Sequence, residues 1–264
     1  MLMKINQIMG ATRSGYALAE PVAYSSDSIK WCFKAASLVR SPVVIGVRET
    51  EISLEEAADL AGFFSGQYRQ VPAALSLENC SSFETAVKGF QAGFTNVVAD
   101  YIEDERQLKY TVHMAHSAGC SAEAKLDIDS AILNQAGELK KIVENTGIDG
   151  IFLTGEAPKN NSAEKQMAWI NQIKEIEEKL HIYVSMDGDL FSNMDILSFA
   201  ARTWAARIRL EKTLSMAGAK KAEDLTIMPE SDRRGLPRLQ EAAQKGYEEM
   251  LKNYIRILNG HNRW

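Results

Sequence analysis

The chain has 264 residues, of which 45% are hydrophobic, 25% charged and 8% aromatic. This length suits one large α/β domain, and the balance of apolar and charged residues excludes an intrinsically disordered chain. The formal net charge of -5 offers no basic field to phosphate backbones, so a general nucleic-acid-binding role has no electrostatic support.

Cysteine usage and the N-terminal segment indicate the compartment. The three cysteines, Cys32, Cys80 and Cys120, are odd in number and widely spaced, which does not resemble a disulfide framework. The first residues, MLMKINQIMGATRSG, contain no apolar run of signal-peptide length, and no segment approaches the ~18 apolar residues of a membrane span. We therefore expect a cytoplasmic protein that does not associate with membranes.

Short β-branched or apolar runs alternate with longer segments of helical periodicity along the chain. Eight runs are predicted to be strands, at residues 15–22, 42–47, 73–77, 96–99, 120–126, 150–154, 182–186 and 205–210. This alternation is typical of βαβ units with a parallel sheet, and eight strands predict closure into a (β/α)8 TIM barrel of the α/β class. Because no change of composition marks a boundary, residues 1–264 are predicted to form one domain.

The helices between these strands have recognisable ends. Ser53, followed three residues later by a glutamate, forms a predicted capping box, and Ser82 opens the segment SFETAVKGFQ. Gly93 and Gly147 stand where helices should end. Residues 237–258 predict an additional long C-terminal helix after the turn-rich segment PESDRRGLP.

Several phrases of the sequence resemble the class II, zinc-dependent fructose- and tagatose-bisphosphate aldolase family. They are GYALAEPVAYSSDSIKWCFKAASLVRSPVVIGV, VPAALSLENCSSFETAVKGFQAGFTNVVAD, AHSAGCSAEAK, ENTGIDGIFL and YVSMDGDLFSNMDI. They occur in the family's order and spacing over about residues 10–215. The resemblance implies a (β/α)8 barrel, a homodimer or homotetramer, and a site at the C-terminal ends of the strands.

The resemblance also implies a zinc site, with three histidine ligands and an aspartate that carries the proton during aldol cleavage. Glu78 stands at the position of that aspartate and Asn79 at the first histidine. Pro158 stands at the second histidine, and the phrase that begins with Met186 replaces the one that carries the third. Since all three ligand positions differ, we predict no zinc and no other cofactor.

The four histidines agree with this prediction without reference to a family. His113 and His116 lie in a predicted helix, His181 precedes a strand at the opposite end of the barrel, and His261 is in the C-terminal tail. No histidine is predicted at a strand end where the site should be, whereas catalytic zinc generally needs several nitrogen or sulfur ligands.

Many charged and polar residues are expected at the barrel mouth. They are Glu20, Arg48, Glu49, Glu78, Asn79, Asp100, Lys125, Glu156, Asp187, Asp189 and Arg209. The candidate substrate-binding residues are Asn79, Asp100, Glu156, Asp187, Gly188, Asp189 and Arg209. Such a ring can hold a hard cation such as Mg²⁺ or transfer protons, or it can consist of solvated salt bridges. The carboxylates at 187 and 189 would repel a phosphate unless Arg209 or Lys212 compensates them.

Two residues are candidates for catalysis. Glu78 is the candidate acid/base, and Lys125 stands where the family usually has a glutamate and could form a Schiff base from inside the barrel. The alternative for Lys125 is an ordinary ion pair with Glu78, Glu156 or Asp100.

The sequence leaves three functions open. The first is an aldolase-like protein that has lost zinc-dependent cleavage and acts as a non-catalytic or ligand- or partner-binding homologue. The alternative is a carbon-carbon lyase, metal-independent or differently metallated, that acts on a sugar-phosphate-like or other carbonyl substrate. The third is a structural subunit in a hetero-complex with an active aldolase paralogue.

Overall fold

The computed structural model describes residues 2–9, 15–128, 136–155, 163–190, 193–226 and 235–263. Its eight described strands pair in chain order and in parallel, and β8 closes the barrel against β1. They are β1 (Leu18–Ala23), β2 (Val43–Val47), β3 (Ala73–Cys80), β4 (Asn96–Ala99), β5 (Ser121–Asp127), β6 (Gly150–Thr154), β7 (Tyr183–Asp187) and β8 (Ala205–Leu210). The predicted (β/α)8 barrel is therefore confirmed.

Helices follow the strands and surround the barrel. They span Ser26–Val39, Leu54–Gln67, Phe83–Ala92, Glu105–Ser117, Ala136–Thr146, Ala163–Leu180, Met194–Thr203, Lys212–Thr226 and Gly235–Ile257. The last of these confirms the predicted C-terminal helix, and its Tyr247 hydroxyl lies 3.4 Å from the carbonyl oxygen of Val22 in β1. None of the helices in these ranges is long and apolar enough to cross a membrane.

Local capping explains where several helices begin and end. The Ser53 hydroxyl accepts a hydrogen bond from the backbone of Glu56, and Ser82 caps helix Phe83–Ala92 in the same way. Gly93 ends that helix with a left-handed φ of 112°, a conformation that glycine adopts at low cost. The predicted caps at Ser53, Ser82 and Gly93 are therefore confirmed, that at Ser53 through the serine hydroxyl.

Two predicted strand ends are wrong by three residues, and several others differ by one. The strand predicted at 15–22 begins only at Leu18, because Gly15 turns the chain with a left-handed φ of 89° and the backbone N–H of Ala17 donates to the carbonyl of Leu258 instead of to a strand. The strand predicted at 73–77 continues to Cys80, because its pairing with β4 resumes after a register shift between Leu77 and Cys80. The polar residues of this extension gave no apolar pattern from which a strand could be predicted.

Apolar and polar side chains are distributed unusually in this barrel. The main apolar core lies between the outer faces of the strands and the helices, and includes Val43, Ile45 and Val47 of β2. A short helix, Ile5–Met9, packs with Leu18 and Val44 in a second apolar cluster. Barrel interiors are usually filled by branched apolar residues. Here the buried residues include a polar set: Glu20, Ser76, Glu78, Asn96, Glu123, Ser185, Arg207 and Arg209.

Candidate functional site

Arg207 of β8 lies at the centre of the polar interior and is fully buried. Its Nη1 donates a hydrogen bond to Ser76 Oγ at 3.0 Å and lies 3.0 Å from Oε1 of Glu20. Its Nη2 forms a hydrogen-bonded ion pair with Glu123 of β5. The guanidinium carbon lies 5.1 Å from the centre of the Phe152 ring, a distance typical of a cation–π contact. Arg207 therefore joins charges from β1 and β5 in the middle of the barrel.

Arg209, two residues further along β8, holds a second ion pair nearer the mouth. Its Nη1 lies 3.3 Å from Oε2 of Glu78, and its Nη2 donates to Oδ2 of Asp187 at 2.6 Å. The guanidinium carbon also lies 4.7 Å from the Phe152 ring centre. Burial lowers the pKa of Arg209, but the carboxylates of Glu78 and Asp187 outweigh burial and raise that pKa above its ordinary value. Arg209 thus remains a fixed cation between β3 and β7.

The carboxyl groups in the barrel outnumber the guanidinium groups. Glu20, Glu78 and Glu123 are all buried with Arg207 and Arg209. Burial raises the pKa of Glu20 well above its ordinary value and also raises that of Glu123. For Glu78, burial acts in the same direction, but the two arginines outweigh it and lower its pKa. Burial therefore favours a proton on Glu20, which would relieve the excess negative charge.

The geometry around Glu20 agrees with a protonated carboxyl. Both of its oxygens are buried and accept no hydrogen bond, since the 3.0 Å approach of Arg207 lacks hydrogen-bonding geometry. An ionised carboxylate without donors would be strongly penalised in this interior. A protonated Glu20 can instead donate to the neighbouring Glu78 carboxylate, the pairing that also contributes to its raised pKa.

A network of neutral side chains surrounds these charges. The Asn96 amide donates to Ser76 Oγ at 2.9 Å and to Glu123 Oε2 at 3.1 Å. Ser121 donates to Asn96 Oδ1 at 2.7 Å, and Ser185 donates to Glu123 Oε1 at 2.8 Å. These bonds satisfy polar groups on β3, β4, β5 and β7, and they favour one arrangement of those side chains.

Gly46 of β2 makes room for the acidic pair. A Cβ atom at this position would lie 2.9 Å from Glu20 Oε1 and 3.2 Å from Glu78 Cγ. We expect Gly46→Ala to lower the free energy of unfolding by about 1–3 kcal/mol, because the carboxyls must move within a packed charged interior. Gly62→Ala is the matched control, since nothing lies within 4 Å of its added Cβ and alanine favours the helix. Equal stability changes in the two variants, measured by urea unfolding, would contradict this account.

At the mouth, Lys125 forms an ion pair with Asp100, one of the three carboxylates that the sequence suggested as its partner. Its Nζ donates to Oδ2 of Asp100 at 2.9 Å. These two side chains line a cleft of about 250 Å³ together with Tyr101, Ile102, Glu103, Leu126 and Asp127. Lys125 is 24% exposed, so its ammonium group is available to solvent rather than sealed in the barrel. Glu156, the other candidate at this end, lies outside the described residues.

The other candidates at the mouth form local contacts. Arg48 makes a two-pronged ion pair with Glu211, the residue that follows β8. Asp189 lies with Gly188 in a short 3-10 turn and accepts a hydrogen bond from Thr213 at 2.8 Å. Asn79 has a left-handed φ of 54°, and its Oδ1 is buried without a hydrogen-bond partner in the described structure.

The structure corrects the expected position of Glu20 and adds two residues. Glu20 was expected at the mouth but is buried beside Arg207, because Val22 and Ala23 continue β1 beyond it. Arg207 and Glu123 were not predicted as site residues. The available signal was the spacing of the charged residues two positions apart, at 123, 125 and 127 in β5 and at 207 and 209 in β8, which places them on one face of each strand.

The donor set at the mouth does not fit a zinc ion. His113 and His116 lie in helix Glu105–Ser117, and His181 and His261 lie outside the strands. No group of three or more His, Cys, Asp and Glu that could hold a metal occurs within the described ranges. Between Glu78 and Asp187 the structure has the Arg209 guanidinium. Pro158, which stands at the position of the family's second zinc histidine, lies outside the described residues.

Comparisons with known proteins agree with the architecture. A family model described as fructose-bisphosphate aldolase class-II matches residues 4–263. The chain is similar in structure to the YdjI aldolase from Escherichia coli K12, with a TM-score of 0.83, 19% identity, and coverage of 100% of this chain and 99% of that one. The chain is also similar in structure to the fructose-bisphosphate aldolase from Campylobacter jejuni, with a TM-score of 0.80 and 15% identity. This match covers 98% of this chain and 95% of that one. At these identities the structural likeness concerns the fold.

Proposed function

Because the chain belongs to the class II fructose-bisphosphate aldolase family, we propose that it is a member that has lost zinc-dependent cleavage of ketose bisphosphates. The observation that carries this proposal is the Arg209 guanidinium bound to Glu78 and Asp187. Those carboxylates lie beside the first and third positions where the family resemblance implies zinc ligands. A guanidinium has only donors and no lone pair for a metal, so the residues present oppose rather than support zinc binding.

The state of Glu78 also supports the proposal. A proton carrier works best when its pKa lies near the operating pH and when it can reach the substrate. Glu78 is buried, accepts a hydrogen bond from Ser76 at 2.7 Å, and has a pKa lowered by two arginines. These contacts favour its carboxylate form, which supports a structural role rather than proton transfer.

The proposed role is therefore binding through the mouth or the outer surface. We propose a cytoplasmic homodimer or homotetramer, or a hetero-complex in which this chain supports an active aldolase paralogue. A tagged chain recovered from its host would distinguish these assemblies by mass, since a paralogue would co-purify in fixed stoichiometry only in the third case.

The direct experiment measures metal content and cleavage together. We expect the purified protein to contain no stoichiometric zinc, and to cleave fructose and tagatose 1,6-bisphosphate no faster than its Glu78→Gln variant, with or without added Zn²⁺. The physical reason is that neither a histidine cage nor a free proton carrier is present at the described mouth. One bound zinc per chain together with rapid turnover that Glu78→Gln abolishes would refute the proposal.

The second candidate is a metal-independent or differently metallated lyase with Glu78 as acid/base and Lys125 as electrophile. The cleft beside Lys125 favours it, because a small carbonyl compound could reach the amine there. The 2.9 Å contact with Asp100 opposes it, since a carboxylate partner stabilises the ammonium form, which is not a nucleophile.

Borohydride trapping separates the two candidates. We expect no adduct at Lys125 when the protein is incubated with dihydroxyacetone phosphate and borohydride and its peptides are mapped by mass spectrometry. The Asp100→Asn variant should be trapped in the same way, because this substitution removes the ion pair with Lys125 while leaving the cleft in place. A reduced adduct at Lys125 in the unmodified sequence, absent from Lys125→Arg, would favour the lyase.

A further inference from the structure

We propose that the Arg209 guanidinium is a built-in cation that occupies a latent cation site formed by Glu78 and Asp187. Glu78 belongs to β3 and Asp187 to β7, strands that are not neighbours in the barrel. Both carboxylates nevertheless converge on one guanidinium, at 3.3 Å and 2.6 Å. This inference rests on the proposed function, because it identifies what replaces a metal at that place.

The surroundings hold the guanidinium firmly in that position. Arg209 is 5% exposed, and its guanidinium lies over the Phe152 ring at 4.7 Å. A low local dielectric strengthens its attraction to the two carboxylates, and the ring face adds a cation–π contribution. Because the cation is attached to β8 by its own side chain, it cannot dissociate as a bound ion would.

A second cation is excluded while Arg209 is present. Two positive charges within a few ångströms repel each other strongly in a poorly solvated interior. Without the guanidinium, however, the two carboxylates would face a vacated volume. Carboxylate oxygens are ligands of hard divalent cations such as Mn²⁺ and Mg²⁺.

The test uses Arg209→Ala in the full chain, with Mn²⁺ and guanidinium ion as separate probes. We expect the thermal midpoint of the variant to rise by several degrees with millimolar guanidinium chloride or Mn²⁺, while the midpoint of the unmodified protein does not rise. Equilibrium dialysis with Mn²⁺ should show about one ion bound per variant chain, consistent with a single site. Adding Asp187→Asn to the variant should remove both responses, because one of the two carboxylates is then neutral.

Arg48→Ala is the matched control. It also removes an arginine from a two-pronged pair, but Arg48 and Glu211 are 23% and 33% exposed, so water replaces the lost contact. We expect no cation-dependent rise for this variant. The inference is overturned if Arg209→Ala responds no more than Arg48→Ala, or if the unmodified protein binds Mn²⁺ as tightly as Arg209→Ala.

If Arg209→Ala does not fold, a second pair of variants tests the same inference. Arg209→Met keeps most of the side-chain volume, and Arg209→Met/Asp187→Asn removes one charge of each sign. Recovery of the urea midpoint in the double variant supports the inference, because the carboxylate then no longer needs a cation. A double variant that is no more stable than Arg209→Met overturns it. Metal-free cleavage of a ketose bisphosphate would contradict the proposed binding role but not this inference, since these measurements do not depend on activity.

Discussion

Arg207→Met is expected to lower the free energy of unfolding by about 3–5 kcal/mol, the cost typical of removing one partner from a buried ion pair. Arg207 is fully buried and lies against the carboxyls of Glu20 and Glu123 while bonding to Ser76. Methionine preserves much of the volume but leaves the Glu123 carboxylate without its cation. Since domains are commonly stable by only about 5–15 kcal/mol, the variant should be close to unfolding at ordinary temperature.

The measurement for Arg207→Met is urea unfolding followed by circular dichroism, with Arg48→Met as the matched control. The Arg48–Glu211 pair is partly exposed, so its loss should cost no more than about 1 kcal/mol. If the two variants lose similar stability, the polar interior does not depend on Arg207 in the way that the structure indicates.

Glu20→Gln is expected to make the protein more stable than the unmodified chain at high pH while leaving the two similar at low pH. Burial raises the pKa of Glu20 well above its ordinary value of 4.5, so the folded state binds this proton more tightly than the unfolded chain does. The stability that the proton contributes is fully present below pH 4.5 and is lost as the pH rises towards the folded pKa. The loss amounts to about 1.4 kcal/mol for each pH unit between the two pKa values.

Glutamine removes this dependence because it is neutral at every pH and its amide can donate to Glu78 as a protonated carboxyl does. The measurement is the free energy of unfolding of both proteins at several pH values from 4 upward. Glu51→Gln, in an exposed turn, serves as the control and should follow the pH profile of the unmodified protein. If Glu20→Gln gains no stability relative to the unmodified chain as pH rises, Glu20 is ionised in the folded protein and our assignment of the buried proton is wrong.

The candidate site was predictable only where a residue's neighbours along the chain decide its position. Asp187, Gly188 and Asp189 lie at a strand end, as the break in apolar pattern indicated. The depth of Glu20 was not predictable, because the stagger between neighbouring strands decides how far each strand position lies from the mouth, and that stagger cannot be read from one strand. The partner of Lys125 remained open among three carboxylates, since their approach depends on the turns that follow different strands.

The sequence by itself determined the alternation of strands and helices and several helix caps, because these depend on residues within a few positions of one another. Only the tertiary structure decided which charges meet inside. Glu20 is paired in register with Arg209, yet Glu20 lies against Arg207, and Arg209 reaches Glu78 across the barrel. The physical reason is that strand stagger and long side chains set these contacts, and neither is encoded in the spacing of residues along one strand.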